Sequence, residues 1–168
     1  MRQMTLCLIA MLLMGSCVHA PKTSPRLESF QEIEYQAYAV DGNGTITGET
    51  FLRTRGGGVK LGSGADIFLI PATAYNQEFV QREVLGGEKL TPSKDSRSSF
   101  YTRIAKADSR GIFRFEHVPA GSYFLWTVIT WEVPEVGRYG IYSRPTGGGL
   151  AERVMINPGE SKTVVLTR

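Results

Sequence analysis

Histidine and cysteine are nearly missing from this chain. Its 168 residues hold two of each: His19 and His117, Cys7 and Cys17. Metal centres and imidazole acid–base chemistry need such groups in clusters. His117 has no second histidine in the folded part, and it sits beside the Val118-Pro119 turn as a solvated residue. Both cysteines precede the domain, so no thiol nucleophile is left inside it. No Gly-x-Ser-x-Gly elbow occurs. The glycines at Gly56–Gly58 are followed by neither Lys-Ser nor Lys-Thr, which excludes a phosphate loop. Excess charge of one sign is lacking too. The net charge is +3, with no clustered basic stripe, which argues against nucleic acid. The longest apolar run, Leu6 to Met14, is nine residues and too short to span a bilayer as a helix. Glu83 with Glu88 and Glu132 with Glu135 are the carboxylate pairs available for acid–base work. They fall in polar loops or at a strand end, where solvated surface charge is the ordinary state. Asp41-Gly42-Asn43-Gly44 begins like a calcium loop, but Thr45, Ile46 and Leu52 stand where a ligand, a glycine and a carboxylate are needed. No catalytic residue, cofactor or metal is expected.

What is present is turn chemistry and alternation. Nineteen glycines and eight prolines suit a turn-rich all-β domain. The clearest stretch is Asp108 to Val133. Asp108-Ser109-Arg110-Gly111 reads as a turn, with Asp bonding its own following backbone and Gly accepting positive φ. Ile112 to Glu116 alternates, Phe113 and Phe115 against Arg114 and Glu116, as a half-buried strand does. Pro119-Ala120-Gly121 makes the next turn. Tyr123 to Val133 is apolar on both faces: Tyr123, Leu125, Ile129, Trp131 and Val133 on one, Phe124, Trp126 and Val128 on the other. Such a strand is central and covered on both sides.

The N-terminus reads as a targeting segment over residues 1–16, with Arg2 ahead of the apolar run. Leu13-Met14-Gly15-Ser16-Cys17 resembles a bacterial lipobox. Cleavage after Val18-His19-Ala20 is the alternative, opposed by Pro21 at the next position. A lipid on Cys17 would also explain a lone thiol in an oxidising compartment. Val18 beside it, with no Asp, implies by that resemblance the outer membrane, facing the periplasm, of a Gram-negative cell. Residues 17–29 then form a flexible tether, and residues 30–168 form the domain.

Within the domain, Phe30 to Val40 alternates through Ile33, Tyr35, Ala37 and Ala39. It is expected to pair with Thr45–Thr54 as a hairpin about the Asp41–Gly44 turn. Val59–Leu61 and Ala65–Ile70 are further strands. Thr73 is placed to cap a helix over Ala74–Leu85, ended by Gly86-Gly87, with Glu78 and Arg82 one turn apart. This insert, residues 71–106, is either a lid over apolar surface or a binding surface. Lys89–Ser99 reads as loop and Phe100–Ala105 as strand. Pro134–Leu150 reads as a long loop. Its Arg138, Tyr139, Tyr142 and Arg144 form a candidate interaction surface, or its tyrosines cover the end of the sandwich. Glu152–Ile156 and Ser161–Thr167 are expected to form the last hairpin.

The run Asp108, Gly111, Phe113, Phe115, Val118-Pro119-Ala120-Gly121, Tyr123, Leu125 resembles the carboxypeptidase regulatory-like domain. Gly64–Pro71 and Asn157-Pro158-Gly159-Glu160 before Val164–Leu166 extend the likeness to roughly two thirds of the chain. The resemblance implies a transthyretin-like, seven-stranded β-sandwich that usually has no catalysis of its own. Hydroxyisourate hydrolases of similar fold end Tyr-Arg-Gly-Ser, whereas this chain ends Val165-Leu166-Thr167-Arg168. Two functions fit. The first is a non-catalytic, lipid-anchored envelope protein that offers its sandwich to a protein partner. The second is a carbohydrate-binding module using exposed aromatics, with Tyr139, Tyr142 and Trp131 as candidates. Burial of both Trp126 and Trp131 would weigh against the second.

Overall fold

The computed structural model describes residues 22–168. The expected targeting segment 1–16, the expected lipidation at Cys17 and the first part of the expected tether lie outside the described residues.

Two four-stranded sheets pack face to face. In the first, β2 (Gly44–Arg53) is central. One edge of it pairs with β10 (Ser161–Thr167) in parallel. The other pairs with β7 (Ile112–Val118) and, further along, with β3 (Val59–Leu61), both antiparallel. The second sheet runs β6 (Arg103–Lys106), β4 (Asp66–Pro71), β8 (Gly121–Gly137), β9 (Gly140–Ile156). The expected all-β sandwich is therefore present. Seven strands of four or more residues carry it, and the three-residue β3 extends one edge. The facing sides enclose one core in which Ile46, Phe113, Phe115, Ile67, Leu69, Tyr123, Leu125 and Leu166 are all buried.

The turn entering β7 forms as its residues dictate. The Asp108 carboxylate accepts from Arg110 N at 2.8 Å and Ile112 N at 2.9 Å, and Gly111 has φ +82°. β8 is central only through Tyr123–Trp126, and its outer side is covered at Phe124 but not at Val128, which is 48% exposed. The cover is a helix that Thr73 caps by accepting from Asn76 N. It runs as α1 (Ala74–Glu78) and continues as a π-helical turn (Phe79–Leu85). Phe79, Val80 and Val84 press onto Ile70 and Phe124 in a second apolar cluster on that outer face.

Four expectations are corrected. Residues 30–40 are not a strand but hold a 3-10 helix, Glu32–Tyr38. Tyr35 and Tyr38, three apart, turn inward, while Ile33 is 70% exposed. Within the described part of the tether, Thr23–Pro25 forms a short strand (β1) parallel to Lys89–Thr91 (β5). Glu78 fixes the chain beyond β1, accepting from Leu27 N at 2.8 Å and Glu28 N at 2.9 Å. Residues 134–150 are not a loop. They are the distal part of a hairpin that β8 and β9 form through seventeen residues each. β9 and β10 do not form the last hairpin, because β10 crosses to the other sheet.

Candidate functional site

The distal hairpin is a two-stranded arm. β4 pairs with β8 only through Tyr123–Trp126; beyond that β8 has β9 alone. The arm closes on Arg138 and Tyr139, between the paired Gly137 and Gly140. Tyr139 is 97% exposed, and Val136 and Ile141 beside it are also exposed. Tyr142 and Arg144 share one face with Glu135. The Tyr142 hydroxyl donates to Glu135 Oε2 at 2.8 Å, and Arg144 Nε lies 2.7 Å from Oε1. That hydrogen bond holds the Tyr142 phenol above its ordinary pKa. The four candidate residues thus share one arm, but only Tyr142 and Arg144 are joined, through Glu135. Neither tyrosine covers the end of the sandwich.

A second site lies on the outer face of the β6-β4-β8 sheet, where the helix stops short of covering it. The register sets Phe68 of β4 opposite Trp126 of β8, with Ile104 of β6 on the other side of Phe68. The Phe68 and Trp126 rings stack with centroids 4.2 Å apart and planes 12° apart, and Phe79 meets Trp126 edge-on at 5.3 Å. With Ile104, which is 61% exposed, these rings form the apolar side of a cleft of about 430 Å³. The opposite wall is the 3-10 turn Ser96–Tyr101 and the segment before it. Ser96, Ser98, Ser99 and Thr102 line it together with Lys94 and Asp95; the hydroxyls of Ser98, Ser99 and Thr102 donate to Asp95 O, Ser96 O and Ser98 O and keep only their accepting lone pairs. Asp95 caps that turn by accepting from Arg97 N. The Arg97 side chain holds the Asp95 carboxyl below its ordinary range.

Trp131 is different. It packs half-buried against the main core with Lys60 Nζ 5.7 Å from its ring centre. Neither tryptophan is fully buried. Accessible aromatic surface is thus kept by Trp126 and Phe68 in the cleft and by Trp131 at the core, as well as by the more exposed Tyr139 and Tyr142 of the arm. Phe68, Ile104, Lys94 and the Ser96–Thr102 wall were not among the residues singled out from the sequence. A signal was there: Phe68 and Ile70 of β4, and Phe124 and Trp126 of β8, alternate onto the same outer face. What the pattern lacks is the length of the helix, which shields Ile70 and Phe124 and leaves Phe68 and Trp126 at its border.

A depression of about 400 Å³ beside Phe30 and Tyr75 is bordered by Arg26, whose Nε and Nη2 bond Pro92 O and Glu83 while its buried Nη1 has no partner. Of the four carboxylates raised above, Glu83 is committed to Arg26, Glu88 to Arg82 and Glu135 to Arg144, and Glu132 is exposed. His117 is exposed, at φ +56°, where β7 bulges against β2. No group of three or more His, Cys, Asp or Glu able to hold a metal occurs among the described residues.

No family model matches the chain, and no curated protein is similar to it. The likeness to carboxypeptidase regulatory-like domains therefore rests on the sandwich and on the residues quoted for it. Among solved structures, the chain is similar to a provisionally named carbohydrate-binding protein from Pseudomonas aeruginosa. The identity is 28% and the TM-score 0.73, over 84% of this chain and 99% of that one. A minor pilin of Streptococcus agalactiae overlaps much less, at 14% identity and a TM-score of 0.38, over 77% of this chain and 46% of the pilin.

Proposed function

We propose that this protein binds carbohydrate in the cleft of Phe68 and Trp126. The observation that carries the reading is the composition of the cleft. A stacked aromatic pair and Ile104 lie on one side, and Lys94, Asp95, Ser96, Ser99 and Thr102 lie on the other, the last two with hydroxyl oxygens still able to accept. A pyranose has the matching character: apolar C–H faces that pack on aromatic rings, and a rim of hydroxyls that both donate and accept. The similarity over nearly the whole length of a protein named for carbohydrate binding supports it.

The site is proposed to work at the bacterial envelope, held by a lipid on Cys17, as the lipobox-like Leu13–Cys17 suggests. From Cys17 to the pinned Thr23 is six residues, a reach of at most about 20 Å. The cleft would then work close to the membrane surface. In this reading the chain binds glycan and leaves chemistry to other proteins.

A second reading concerns the arm. Its exposed Val136, Tyr139 and Ile141, flanked by Arg138, have the composition of a protein-contact surface. A photo-crosslinker at Tyr139 in cells is expected to yield a discrete protein adduct, and a smear indistinguishable from that of a probe on the opposite sheet would reject it.

The test of the main reading is calorimetric titration with a panel of neutral and acidic oligosaccharides. Trp126→Leu, which keeps apolar cover on the sheet, is expected to weaken binding at least ten-fold with the fold retained. Unchanged affinity in Trp126→Leu and in Ile104→Asp would remove the cleft from the account.

A further inference from the structure

The cleft holds a cation that the protein leaves without a counter-ion. Lys94 is half-buried at its wall, with Nζ 4.7 Å from the centre of the Phe79 ring. The carboxylates beside it are taken: Asp95 by Arg97 and Glu83 by Arg26. No ion pair to Lys94 occurs among the described residues, and the nearby Arg26 guanidinium repels it. Burial, then Arg26, pull its pKa down to about 8, against an upward pull from Glu83. A half-buried lysine without a carboxylate partner weakens the fold, and the Phe79 ring offsets only part of that cost. An anionic ligand would offset the rest.

The rest of the cleft limits what carries the anion. A bare inorganic anion would leave Phe68, Trp126 and Ile104 unused, and a plain apolar acid would leave the hydroxyl wall unused. We infer that the cleft selects acidic saccharides, with a sugar carboxylate against Lys94 Nζ and the pyranose face on the Phe68–Trp126 side. This rests on the carbohydrate reading and adds charge selection to it.

The probes are the tetramer of galacturonic acid and its methyl ester, which has the same rings without the charge, within a panel that also holds neutral oligosaccharides. Binding is measured by calorimetry on the full chain at pH 6.5 and pH 9.5. The acid is expected to bind at least ten-fold tighter than the ester at pH 6.5. That preference is expected to disappear at pH 9.5, as Lys94 loses its proton. Lys94→Arg keeps the preference and Lys94→Met abolishes it. Lys94→Met should also melt at a higher temperature than the natural protein at pH 6.5, so its loss of binding cannot come from unfolding. Equal affinity for acid and ester, or a preference that survives in Lys94→Met, overturns the charge selection while leaving the carbohydrate reading in place. No binding to any member of the panel overturns both.

Discussion

Gly149 lies directly beneath Val84. The last turn of the helix rests on β9 there so closely that a Cβ on Gly149 would run into the Val84 carbonyl oxygen. This contact sets how near the helix lies to the sheet, and so where its cover ends and the cleft begins.

Gly149→Ala is therefore expected to lift the helix terminus. The overpacking cost is about 1–3 kcal/mol, read as a lower urea midpoint. Gly148→Ala next door is the control. Its Cβ would meet only the guanidinium of Arg168, the movable end of a long side chain, and should cost far less.

Glu78 ties the N-terminal segment to the helix. It accepts from Leu27 N, Glu28 N and Arg82 Nη1, the last at 2.6 Å. Burial raises its pKa, but these donors together outweigh burial and the net shift is downward. Its stabilising effect is therefore complete above the ordinary carboxyl pKa of 4.5 and fades as pH falls through the lower folded value. Glu78→Ala is expected to cost about 3 kcal/mol at pH 7, and less at pH 3. Urea melts at the two pH values check this, and limited proteolysis should reveal early cutting near Leu27.

Asp108→Ala should loosen the turn into β7. It removes the acceptor for Arg110 N and Ile112 N. The site is partly exposed, so water replaces part of the loss and only a small drop in the urea midpoint is expected. Faster amide exchange at Ile112 is the local readout.

Tyr142→Phe is expected to leave the urea midpoint nearly unchanged, because its bond to Glu135 is exposed. Ultraviolet titration of the natural protein should lose a late-ionising tyrosine in this variant, since Glu135 holds the Tyr142 phenol above its ordinary pKa.

Much of this architecture was legible in the chain. The Asp108–Gly111 turn, the two-faced β8 and the Thr73-capped helix are local patterns, each written in residues two to four apart. The misreadings have physical causes. Residues 33–39 alternate like a strand, but the tyrosines that bury, Tyr35 and Tyr38, follow a period of three, that of a 3-10 turn. Pro134, Pro145 and the glycines suggested a loop. In the arm each strand has one partner, so an outer edge can carry proline. β10 leaves its neighbour β9 for β2 because Leu166 belongs to the core from the other side, and no local signal encodes a change of sheet. The cleft was missed for the same reason. Phe68, Trp126 and the serine wall come from three separate segments, and only their assembly makes a site.

The two tryptophans give the most direct test of the central claim. A ¹⁵N spectrum of the protein carries two indole signals, one in the cleft at Trp126 and one against the main core at Trp131. Titration with tetragalacturonate is predicted to move the Trp126 indole signal together with the backbone amides of Ser96–Thr102. Trp131 and the arm residues Arg138–Tyr142 should stay in place. Movement confined to the arm, or binding that leaves the Trp126 signal unmoved, would contradict the account.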